Sequence, residues 1–163
     1  MQARKFTAFV AATLAAAALP TIVLMALVGT IASDEITRDE WWIVAGVLFA
    51  IALAHVVLLG VPAVVVLRRI GRYRVLPMAI AGALVGALPY AIFSFPFNDA
   101  AGVDVFSDGV QTMANGVTTT AGWLEWLQEA AVFGALGFVG ALAFYGVHRA
   151  IADKTKGAIG ALR

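Results

Sequence analysis

"WWIVAGVLFAIALAHVVLLGVPAVVVL", residues 41–67, runs for 27 residues without a lysine, arginine, aspartate or glutamate. An α-helix rises about 1.5 Å per residue, so about 20 apolar residues cross a hydrocarbon core about 30 Å thick. The stretch exceeds that length with no charge to stop it. Its one ionisable side chain, His55, lies twelve residues after Ile43 and twelve before Leu67, near the middle of the run. In a membrane that depth is the costliest place for a polar group.

Three further charge-free runs flank it: residues 6–33, 75–98 and 130–148, of 28, 24 and 19 residues. The chain of 163 residues is 62% hydrophobic and 13% charged, with a mean hydropathy of +0.92. An ordinary soluble domain is about 25% charged. A molecule this small has too little interior to hide so much apolar surface. The first run has basic residues before it, Arg4 and Lys5, as a signal peptide would. It is about twice the length of a signal peptide's apolar region of roughly 7–15 residues, and it reads as an uncleaved first helix. The expected fold is therefore all-α: one domain, residues 1–163, forming a four-transmembrane-helix bundle. The spans are expected at about 6–33, 41–67, 75–97 and 121–148, with outer loops at 34–40 and 98–120.

Lysine and arginine set direction. Ten of the eleven, all but Arg38, fall before span one, between spans two and three, or after span four. Nine of the ten acids fall on the other side, Asp153 being the exception. Both termini are thus expected on the cytoplasmic side of the membrane. Trp41, Trp42, Trp123 and Trp126 all sit at the opposite boundary, where indole rings favour the interface.

The connections differ. "RRIGRYR", residues 68–74, is a tight basic turn in which Gly71 can adopt a positive φ. Arg68, Arg69, Arg72 and Arg74 are placed to meet lipid head groups. Residues 98–122 are too polar for lipid and too long for a minimal turn. At most short helices are expected there, with residues 118–120 capping a helix that runs through Trp123 into span four.

Small residues recur at helical spacing: Ala8, Ala12 and Ala16; Gly46, Ala50 and Ala54; Gly82 and Gly86; Gly134, Gly137 and Gly140. Such residues let membrane helices approach closely. Packing within the bundle is their first reading, and a seam for a second copy or another membrane protein is the alternative. Pro20, Pro62, Pro77, Pro89 and Pro96 punctuate the spans and tend to kink them.

Few residues carry chemistry. His55 is expected to face another helix, neutral and hydrogen-bonded to Thr13, Thr21, Tyr90 or Ser94; the alternative is a proton relay. Glu125 and Glu129 share a helix face at the acidic boundary. They read as a solvated face, or as partners of Arg38, rather than as an acid–base pair. Asp99, Asp104 and Asp108 lack the alternate-position spacing of a calcium loop. His148 sits at the far end of its span from the depth of His55, which argues against a haem held between them. With no cysteine, and no phosphate loop or hydrolase motif, the sequence points to no catalytic residue, no metal and no cofactor. The charge pattern offers no nucleic-acid surface.

The stretch "AHVVLLGVPAVVVLRRIGRYRVLPMAIAGALVGALP", residues 54–89, resembles small bacterial four-helix inner-membrane proteins of no assigned activity. The shared pattern is a histidine, a Gly-x-Pro, an arginine-rich turn and a glycine-rich span ending in proline. The resemblance implies location and fold class, and it groups His55, Gly60, Pro62 and Pro89. The functional expectation is a non-enzymatic multi-pass protein, accessory to, scaffolding or protecting another membrane component. Its partners would be the bilayer and another membrane protein or a second copy. The alternative is a small oligomeric transporter or channel built on His55.

Overall fold

The computed structural model describes residues 2–32, 37–96 and 102–160, with side chains over 6–30, 37, 39–96 and 102–151. Four long helical stretches carry the apolar runs. Helix α1 spans Gln2–Ala32. Helix α2, Arg38–His55, passes through a π-helical turn, Val56–Gly60, into α3, Val61–Arg69. Helix α4 is Val75–Phe93, and α5 is Thr120–Gly160. Four helices are long and apolar enough to cross a membrane, over Phe6–Thr30, Asp39–Arg69, Val75–Phe93 and Thr120–Ile151. Pro96 lies beyond α4, whose last turn closes with Ser94 N–H on the Tyr90 carbonyl at 2.9 Å.

The chain is not purely helical. Residues expected to hold at most short helices form a three-stranded antiparallel sheet: β1 Val105–Ser107, β2 Val110–Ala114 and β3 Val117–Thr118. The reason is turn chemistry. Ser107 pairs with Val110 across Asp108-Gly109, and Ala114 pairs with Val117 across Asn115-Gly116. All four turn residues have positive φ: 49° and 78° in the first turn, 49° and 78° in the second. Two-residue turns of that hand match the twist of the flanking strands, and Asp-Gly and Asn-Gly are the pairs that tolerate them. The Asp104 carboxylate ties the sheet's start, accepting from Asn115 N–H at 2.7 Å and Gln111 Nε2 at 3.2 Å.

The sheet sits on the start of α5. Thr119 Oγ1 accepts from Gly122 N–H at 3.2 Å, capping the helix, and donates toward the Gln111 carbonyl at 2.8 Å. The expected threonine cap is therefore present, and it also pins β2. Gly122 is needed by proximity, since a Cβ there would collide with the Thr112 carbonyl. At the head of α2, Glu40 reaches back to Thr37 N–H at 2.7 Å, a capping-box contact.

Helix α5 is the spine. It packs on α4 along one side and α1 along another, while α2 leans on α1. Glycines set the α4–α5 contact: a Cβ on Gly82 would lie 2.6 Å from the Gly137 carbonyl oxygen, and one on Gly86 would lie 2.9 Å from Gly137 Cα. Gly140 meets α1 instead, with 2.8 Å to the Ala16 carbonyl, whereas Gly134 keeps ordinary distances of 3.4 Å or more. The tightest core lies toward the basic end of the bundle, where Ala12, Ala16, Val64, Met78 and Phe144 cluster. Phe9 meets Phe144 edge to face at 5.6 Å. Away from these seams the helices present large apolar side chains outward, Leu58, Leu76 and Ile43 each about two-thirds exposed or more. The basic turn between α3 and α4 closes with Gly71 at φ +69°, as its sequence requires.

Candidate functional site

Helix α2 makes no substantial contact with α4 or α5, whereas the turn and α3 below it do touch α4. The splayed helix leaves a crevice of about 210 Å³ between α2, α1 and the α4–α5 pair. It extends along α5 from Phe133 to Phe144, about 16 Å at the helical rise. Glycines 82, 86, 137 and 140 form much of its wall. Among the described residues, Thr21 and His55 are the only polar side chains on its lining. Thr21 Oγ1 is already donated to the Ala17 carbonyl at 2.9 Å.

His55 stands where the helix changes pitch. The π turn begins at the next residue, and Val61 N–H bonds to the Val56 carbonyl five residues back. Pro62 explains the widening. It has no N–H, and its ring presses on the carbonyl four residues earlier, so the helix takes up an extra residue there. The side chain of His55 lines the crevice and is half-buried. It faces other helices, as expected, but the expected hydrogen bond is missing among the described residues. The four proposed partners are committed or distant. Thr13 Oγ1 donates to the Phe9 carbonyl at 2.9 Å, Thr21 is bonded as above, and the Tyr90 hydroxyl donates to Glu129. Ser94 lies on a different cavity.

That second cavity, about 190 Å³, opens at the acidic end beneath the sheet, with Glu125, Glu129, Tyr90 and Trp126 on its lining. Both carboxylates accept hydrogen bonds from neighbouring elements. Glu125 accepts from Ser107 Oγ of β1 at 2.6 Å, and Glu129 accepts from Tyr90 of α4. Glu129 is exposed and Glu125 half-buried, and each also joins α5 to a neighbouring element. Tyr90 in turn stacks on Phe133 at 4.9 Å. Phe95, Trp123 and Trp126 form an edge-to-face trio at 5.5–5.8 Å. The side chain of Arg38 lies outside the described residues, as do Asp99 and the side chains of Arg4 and Lys5.

At the basic end the four turn arginines separate. Arg68 Nη2 lies 2.8 Å from His148 Nε2 of α5, and its guanidinium covers the Tyr73 ring at 4.7 Å. A guanidinium only donates, so Nε2 is the acceptor nitrogen and the ring proton sits on Nδ1. Arg69, Arg72 and Arg74 are exposed. Arg68 thus locks α3 to α5 and leaves three arginines to face outward. Sequence reasoning did not find this lock, nor the Ser107–Glu125 and Tyr90–Glu129 bonds, because each joins residues whose proximity depends on helix rotation or on the sheet.

No family model, no curated protein and no solved structure matches this chain.

Proposed function

We propose that this chain is a non-enzymatic, multi-pass protein of a bacterial inner membrane, both termini cytoplasmic, that serves as an accessory, scaffold or protective partner of another membrane component. The observation that carries the reading is the apolar lining of the helical interior. The crevice beside His55 is lined by apolar side chains and glycines apart from Thr21 and His55. An ion or a polar solute needs a continuous series of polar groups to replace its hydration, and two isolated groups do not supply one. The glutamates that an ion pathway would use are engaged at one end of the bundle. The lysine and arginine bias supports the orientation.

The test is purification from native membranes under mild detergent, followed by reconstitution of the chain alone. A defined membrane partner eluting in fixed ratio, with no flux through proteoliposomes of the isolated chain, supports the accessory role. Proton or ion flux through those proteoliposomes, abolished by His55→Phe at normal protein content, would establish the transporter instead.

A further inference from the structure

The crevice beside His55 has the properties of a ligand site. We infer that it binds a lipid-soluble quinone, ring inserted between α2 and the α4–α5 pair, with one ring carbonyl accepting a hydrogen bond from the His55 imidazole. The inference does not depend on the accessory role, because either kind of membrane protein can hold such a molecule.

Three observations converge on that chemistry. The first is the unmet polar group. His55 lines the crevice and has no hydrogen-bond partner among the described residues. A neutral imidazole in an apolar surround needs one, since an unsatisfied group there is costly. The second is depth. His55 lies at least twelve residues from either end of its apolar run, about 18 Å or more along a helix. Phospholipid oxygens stay near the edges of a hydrocarbon core about 30 Å thick and do not reach that level. A small-molecule partner at that depth is a neutral lipophile that carries an oxygen into hydrocarbon. The third is shape. A dry cavity of roughly 150 Å³ holds a benzene ring, and this one is about 210 Å³. Gly82, Gly86 and Gly137 are among its lining residues, with no side chain to fill it. The gap left by the splayed α2 gives the ligand's tail a way out to lipid.

Because the chain has two histidines, ¹⁵N-histidine labelling yields two imidazole signals, one at the site and one far from it. The protein in lipid nanodiscs is titrated with a dimethoxy-methyl-benzoquinone carrying a decyl tail. The expected result is a saturable shift of the His55 ring nitrogens with the His148 signal unmoved. His55→Phe should weaken retention of the quinone about tenfold, the scale of one buried hydrogen bond. Ala52→Phe and the milder Ala81→Leu, which fill the slot, should abolish the His55 shift, with the His148 signal reporting that the fold is kept. An unmoved His55 signal overturns the inference. So does an equal shift with dodecane, which would show apolar filling without a hydrogen bond. A shift produced only by an added polyleucine span bearing a central asparagine would assign the crevice to a partner helix instead.

Discussion

At the residue scale, His55 and Thr119 show opposite economies. Thr119 uses its hydroxyl twice, accepting from Gly122 N–H and donating to β2. Thr119→Val should destabilise the protein by about 0.5–2 kcal/mol, the usual worth of a helix cap, while Thr119→Ser should retain most of it. Denaturant unfolding of the purified protein measures both. His55 makes no bond within the described protein, so His55→Phe removes a desolvated polar ring and loses nothing in exchange. Its unfolding midpoint in ligand-free detergent should equal or exceed that of the wild type. A loss of more than about 1 kcal/mol would reveal a hydrogen bond to the protein.

At the element scale, the α4–α5 seam is fixed by backbone proximity. Gly137→Ala puts a methyl group where the Gly82 carbonyl and Gly86 Cα already stand. It should cost about 1–3 kcal/mol through overpacking, whereas Gly134→Ala, with ordinary contacts, should be nearly neutral; thermal unfolding in detergent separates the two. The hairpins make a similar contrast. Gly116→Val forces a branched side chain to φ near 78°, which should melt the sheet while leaving the helices intact by far-ultraviolet circular dichroism. These elements also mark what the sequence makes legible. The four helices follow from apolar run length, because hydrocarbon forces every backbone group to bond within its own segment. The turn at Gly71 is local and equally readable. "SDGV" and "ANGV" carry the hairpin signal in plain view, yet in a chain dominated by apolar helices the loop's polarity reads first. Three things depend on relative helix position, which no local pattern encodes: the splay of α2, the orphaned state of His55, and the carboxylate bonds to Tyr90 and Ser107. His55 was visible as an anomaly, but the crevice around it was not.

At the scale of the whole molecule, the two ends of the bundle differ in charge and in construction. One end carries the sheet, the aromatic trio and the bonded glutamates. The other carries Arg69, Arg72 and Arg74, exposed around the short turn. An exposed arginine cluster is held on the side from which the chain is inserted, since moving it through hydrocarbon is costly. The acidic sheet has few cations to resist export. The proposed orientation rests on the same asymmetry that divides the fold, and it can be tested directly because the chain has no cysteine. Phe106→Cys, on an exposed position of β1, and Ile70→Cys, exposed beside the basic turn, each introduce a single reactive thiol. In spheroplasts, a membrane-impermeant maleimide should label the Phe106→Cys protein at once and the Ile70→Cys protein only after lysis. The reverse pattern would place the basic end outside. It would mean that contacts with a partner, rather than the arginines of this chain, decide how the bundle sits in the membrane.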